Sequence, residues 1–287
     1  MPSLKAIRTR ITSVKNTQKI TRAMKLVAAA RLRRAQESIV SARPYARGLE
    51  EVIAEIAARS GGDAHPLLET RPLKNVEAIV LTSDRGLAGA FNSQINRNTE
   101  RFVVEKKVEF ETLGLALVGR KGRDYLRRRK HNVVRDYPAP TSATALELAR
   151  TIAHSVVERY LAKQLDGVFL IYNEFKSAVS QTVRVEQLLP VAPKKLGPGG
   201  GGDFLYEPTR RAVLDQILPL YVEIEIYRAL LESIASELGA RMSAMDNASK
   251  NASEMIARLT LQYNRARQAS ITKELLEIIG GAEALKG

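Results

Sequence analysis

The sequence predicts an α/β chain: its N- and C-terminal segments pair as a long antiparallel two-helix coiled coil, and a compact α/β domain lies between them. Three observations predict it. Apolar residues recur at alternating spacings of three and four from Leu4 to Ile56 and again from Val213 to Leu276, which is a heptad seam. Between the seams, short apolar runs alternate with helix-like pieces, the pattern of a mostly parallel sheet covered by helices. The 287 residues, 45% of them apolar, can bury one substantial core and still carry long elements outside it.

The first element is a helix over residues 1–58. Its seam runs Leu4, Ile7, Ile11, Val14, continues through Ala28, Leu32, Ala35 and Ile39, and ends at Ile53 and Ile56. Gln18, Thr21 and Lys25 interrupt it, and the neighbouring stripe Ile20, Met24, Val27 is expected to take over there. Pro44 should kink the helix without ending it, because the seam resumes in phase. The first fifty residues hold twelve cations against Glu37 and Glu50, +10 of the formal +14. A basic Ser/Thr-bearing start resembles an organelle transit peptide, but a transit peptide would not sustain a heptad over such a length.

The middle segment, residues 70–192, reads as a Rossmann-like α/β domain. Strands are expected at Val76–Thr82, Leu113–Val118, Val168–Tyr172 and Val183–Leu188, and helices from about Leu87, at Arg120–Arg129 and at Ala143–Leu161. Residues 193–208 form a glycine-rich linker, "PKKLGPGGGGD" at its start, without periodicity. Residues 209–287 form the second seam helix, broken only at Arg241, Gln262 and Lys273. Neither seam can be buried unaided, so pairing them across the domain is the economical solution. At 1.5 Å per residue the second helix is longer by roughly 30 Å, so its tip projects singly. There Ile271, Leu275, Leu276, Ile278, Ile279, Ala282 and Leu285 cover a broader face than a two-stranded seam needs, as expected of a tip that enters an apolar hole in a partner.

The stretch "TSDRGLAGAFN", Thr82 to Asn92, places Gly86 and Gly89 where a strand turns into a helix. Backbone amides at such a turn can bind phosphate. The spacing is neither G-x-G-x-x-G nor G-x-x-x-x-G-K-[ST], so a plain turn is the preferred reading, with Ser83 or Asp84 capping the following helix. Catalysis is equally unsupported. The chain has no cysteine, and His65, His131 and His154 are scattered without metal-ligand spacing. Hydrolase and metalloprotease signatures are missing, no cofactor is expected, and no stretch approaches the roughly 20 apolar residues of a membrane span. The basic helix also admits a nucleic-acid-binding coiled coil, a reading that the 5% aromatic content and the lack of a groove-reading motif disfavour.

Three stretches resemble one family over essentially the whole length: "IRTRITSVKNTQKITRAMKLVAAARLRRAQ", "TSDRGLAGAFN" and "YNRARQASITKELLEIIGGAEAL". They are similar to the gamma subunits of rotary ATP synthases, the central stalk, of bacterial type. The resemblance implies a non-catalytic rotor shaft that couples an ion-driven ring to conformational cycling of three catalytic sites. The implied partners are the catalytic and non-catalytic subunits of the hexamer, an epsilon-type stalk subunit and the membrane-embedded ring, with no nucleic acid. The implied location is peripheral, on the cytoplasmic face of the bacterial plasma membrane. It also implies contact residues. Met24 and Lys25 match the N-terminal rotor–lever contact, and Arg85 faces an acidic loop of a catalytic subunit. Arg267 and Gln268 match the pair that hydrogen-bonds a catalytic-subunit loop. Tyr206 and Glu207, in "LYEP", match the foot that rests on the ring.

Overall fold

The computed structural model describes residues 3–59, 65–178, 180–192 and 209–284. The glycine-rich stretch, Tyr206 and Glu207 lie outside them. The chain divides into two compact units, Met1–Val27 with Met242–Gly287, and Ala28–Arg241. Two long helices, α1 (Leu4–Arg59) and α5 (Arg210–Ala284), contribute to both.

In the first unit the two helices pack along their seams. Ile7, Thr21, Met245, Ala252 and Leu259 are buried, with Ile11, Val14 and Gln18 half-buried. The expected change of stripe near residue 20 does not occur: Ile20 and Val27 are exposed. The seam stays in phase because its polar members satisfy themselves. The Thr21 hydroxyl donates to the Gln18 carbonyl at 3.0 Å, and the Lys25 ammonium donates to Asp246 across the pair at 2.6 Å.

The second unit is built on five strands: β1 (Asn75–Leu81), β2 (Thr112–Val118), β3 (Val133–Tyr137), β4 (Gly167–Phe175) and β5 (Gln181–Leu189), in the order β3-β2-β1-β4-β5. β1 to β4 run parallel and β5 is antiparallel to β4. Helices α2 (Phe91–Lys106) and α3 (Arg120–Arg128) supply Phe91, Ile95, Phe102 and Leu126 to a core with Val76, Ala78, Val80, Leu115 and Leu117. Alternate β1 residues face α4 (Ala145–Leu161) on the other side, where Glu77 takes a two-pronged bond from Arg159 at 2.5 and 2.9 Å. With both faces covered, β1 is buried from Val76 to Leu81, which is why it reads as an apolar run broken only by Glu77, whose charge Arg159 meets. β3 escaped the sequence reading because it is a five-residue edge strand whose middle residues are exposed.

Helix α2 begins at Phe91, four residues beyond the expected start. Leu87 and Gly89 have φ of 65° and 55°, left-handed values that interrupt a right-handed helix. No side chain caps α2 at Ala90, so neither Ser83 nor Asp84 caps this helix as the sequence predicts. Asp84 instead accepts from the Arg120 amide at 2.8 Å, at the start of α3.

Candidate functional site

In doubly wound sheets, ligands bind outside the carboxyl ends of the strands where the chain order reverses, here between β1 and β4. On the β2 side of that place the carboxyl ends of β1 and β2 close on each other. The Thr82 hydroxyl donates to the Val118 carbonyl at 2.8 Å and accepts from the Gly122 amide at 2.9 Å. The Lys121 amide donates to the Ser83 carbonyl at 3.0 Å, and the Arg120 amide is held by Asp84. The first three amides of α3, which could otherwise bind an anion, therefore have partners from the end of β1. Gly119 is required for this closeness: at φ 92°, a Cβ there would stand 2.5 Å from the Thr82 carbonyl oxygen.

Helix α5 covers the same end of the sheet. Leu230, Ser233 and Glu237 line a cavity of about 30 Å³ with Thr82, Ser83 and Phe91, room for about one water and far below the roughly 300 Å³ of a small-ligand pocket. Ser236 donates to the Asn173 carbonyl at 3.0 Å. A Cβ on Gly239 would come within 3.1 Å of Ala178 Cα, so the helix lies close against the end of β4.

Further polar links tie α5 to this unit. Arg228 donates to Glu225 at 2.7 Å, Glu186 at 2.9 Å and the Tyr172 hydroxyl at 3.1 Å. Desolvation opposes its charge, and Glu225, Tyr172 and Glu186 outweigh that, so its pKa is raised. Burial raises the Tyr172 phenol and the Glu232 carboxyl. Arg150 reaches Glu223 at 2.9 Å. Buried His65 accepts the Leu67 amide on Nδ1 at 3.1 Å, leaving Nε2 to donate to Asp215 at 3.0 Å. Desolvation lowers the His65 pKa against the opposing pull of Asp215, which fits a neutral ring.

The "SDRGLAG" turn is held from within. Ser83 donates to the Arg85 carbonyl at 2.9 Å, and Asn92 bonds the Ser83 amide and hydroxyl. Arg85 is exposed and has no ion-pair partner among the described residues. Met24 is half-buried, and Lys25 is engaged with Asp246, which also binds Lys250 at 3.0 Å. Arg267 and Gln268 are exposed, the Gln268 carbonyl accepting from Thr272. Asp246 and Arg267 lie about 30 Å apart along α5, so the Lys25 and Arg267 positions form separate patches. Arg241, which the sequence does not mark as a contact, donates to the Gly86 carbonyl at 2.8 Å and pairs with Glu237. Its signal was present as a charge interrupting the second seam.

Among the described residues no cluster of three or more His, Cys, Asp or Glu could hold a metal, and no helix is long and apolar enough to cross a membrane. The profile of a family described as ATP synthase matches residues 3–285. The chain is 56% identical to the ATP synthase gamma chain of Anaeromyxobacter sp. (strain Fw109-5), covering all of both chains. It is 51% identical to that of Geobacter sp. (strain M21), again over the whole of both. Its fold is similar to a chain in the central stalk and c-ring structure of Tetrahymena thermophila mitochondrial ATP synthase: TM-score 0.60, 29% identity, 80% of this chain and 99% of that one. A chain of the Euglena gracilis enzyme has the same fold at TM-score 0.64 and 21% identity, over 98% of this chain and 94% of that one. The chain belongs to the ATP synthase gamma-chain family.

Proposed function

We propose that this central-stalk subunit is the rotor shaft of an ion-driven ATP synthase, turning inside a hexamer whose three catalytic sites it forces through different conformations in succession. The observation that carries this reading is the state of the Rossmann-like crevice: α5 lies against the carboxyl ends of β1 and β4, where an enzyme of this fold would hold a nucleotide. The chain is a mechanical part, and its partners supply the catalytic groups. Its two helices are unlike in length and sequence, so each surrounding site meets a different surface. Only such differential contact can shift a site's open–closed equilibrium. One ion crossing supplies roughly 2.3 kcal/mol per 100 mV, and several together rival the roughly 5–15 kcal/mol stability of a domain. A long helical pair spreads that load.

The same reading places Met24, Lys25, Arg85, Arg267 and Gln268 against catalytic-subunit loops and Tyr206 and Glu207 on the ring, with an epsilon-type subunit beside them. The complex lies against the cytoplasmic face of the bacterial plasma membrane, with this chain peripheral. Calorimetric titration of the isolated chain with ATP and Mg²⁺ tests the assignment of roles. No saturable binding is expected in the micromolar range, while the hexamer assembled around the chain hydrolyses ATP. Micromolar binding to the isolated chain would overturn it.

A further inference from the structure

The bonds within the turn hold its start, from Ser83 to the Arg85 carbonyl, and leave Gly86 and Leu87 beyond them. Leu87 sits at φ 65°, a conformation unfavourable for a leucine, and its side chain is 65% exposed, so its own packing cannot hold it there. Gly86 beside it is the loosest residue type, and a Cβ at that position would meet nothing nearer than Lys121 Cε at 3.8 Å. Strained backbone persists where its surroundings over-determine it. Two groups do so here. Ser83 fixes the Arg85 carbonyl, and Arg241 on α5 fixes the next one, at Gly86.

Arg241 is poorly suited to a heptad seam, yet its side chain is only 12% exposed. Glu237 compensates the charge one turn away, leaving Nη1 directed at the Gly86 oxygen. A charge-assisted bond to a neutral carbonyl is stronger than an ordinary one, and without it that oxygen would lose its partner on α5. We infer that Arg241 is a positioning residue: by holding the Gly86 carbonyl it sets the direction in which Arg85 projects toward its partner. Movement of α5 at this point is thereby carried to the contact loop through one bond. The inference rests on the proposed Arg85 contact.

Two measurements test it and separate its failure from failure of that contact. Hydrogen exchange of the full chain reads the loop directly at the Ser83 and Phe91 amides, which donate to Asn92 Oδ1 and the Ala88 carbonyl. Arg241→Met should accelerate their exchange about tenfold, the scale of one lost charge-assisted bond. Arg241→Lys, which keeps a charged donor, should recover part of the protection. In the assembled complex, ions pumped per ATP hydrolysed should fall with either Arg85→Ala or Arg241→Met, and the double variant should be no worse than Arg85→Ala alone, since residues acting through one contact are not additive. Unchanged exchange in Arg241→Met, or a further loss in the double variant, would overturn the positioning role. Normal pumping with Arg85→Ala would overturn the contact itself.

Discussion

Two stretches of α5 carry large apolar side chains on more of their circumference than one seam requires, and they meet opposite fates. Between Val222 and Ala240 the helix is buried on nearly every side, with Val222, Ile226, Leu230 and Ala235 all at 1% exposure or less. Beyond Leu261, Ile271, Leu275, Leu276, Ile278 and Ile279 are each more than half exposed. The first stretch serves a seam on one side and the carboxyl end of the sheet on another. Apolar breadth around a helix thus does not by itself say what covers it. For the first stretch the chain itself encloses it; for the second, the proposed enclosure is the hexamer.

The largest effect that separates the two stretches is expected from truncation. Deleting the chain from Ile271 onward should leave the thermal transition of the isolated protein nearly unchanged, because those side chains are already in water. Enclosed by the hexamer, each would contribute roughly 1.5–3 kcal/mol, so assembly or torque transmission should fall by well over tenfold. A lower transition with normal assembly would mean that the tip packs on its own chain.

Single substitutions should show the same contrast on a smaller scale. Leu230→Ala removes a fully buried side chain and should cost about 2–5 kcal/mol, seen as a shifted denaturation midpoint. Leu276→Ala should stay within about 0.5 kcal/mol in the isolated chain. Equal costs at both positions would erase the distinction. Arg85→Glu, on the sheet-bearing unit but exposed, should likewise leave the isolated midpoint in place while lowering pumping per ATP in the complex, because a reversed charge would face the proposed acidic loop. A midpoint several degrees lower would make Arg85 structural.

The smallest effects concern pH. Burial raises the Glu232 carboxyl above 4.5, so the folded state takes its proton first. Its contribution to stability grows as pH falls through the folded pKa and is complete below the unfolded one. Bonds from Lys25 and Lys250 lower Asp246 below 3.8, so its contribution is present above the unfolded pKa and is lost as pH falls through the folded one. Glu232→Gln and Asp246→Asn should therefore change the low-pH slope of the melting temperature in opposite senses. Slopes changed in the same sense would contradict the two environments.

Much of this was legible in the sequence because periodicity reports burial. β1 is covered on both faces and appears as an apolar run in which only Glu77 is charged, and the seam residues Ile7, Ala28, Leu32, Ala35 and Ile39 are buried as their spacing requires. What escaped was set by contacts distant in sequence. β3 owes its strand conformation to its pairing with β2. Asp84 looked like a cap for the next helix because the segment that brings α3 beside it is 36 residues away. Ile20 and Val27 suggested a change of stripe, whereas a hydroxyl at Thr21 and a salt bridge at Lys25 kept the polar seam in phase. Arg241 was visible only as an irregularity, since its partner Gly86 is 155 residues removed.

The central claim is that the chain turns as a shaft. It contains no cysteine, and Val108 is 95% exposed, so Val108→Cys provides a single attachment point for an optical probe. With the assembled hexamer fixed to a surface and ATP supplied, the probe is expected to rotate in one direction in discrete steps. A probe that stays still while ATP is hydrolysed at the normal rate would contradict the account.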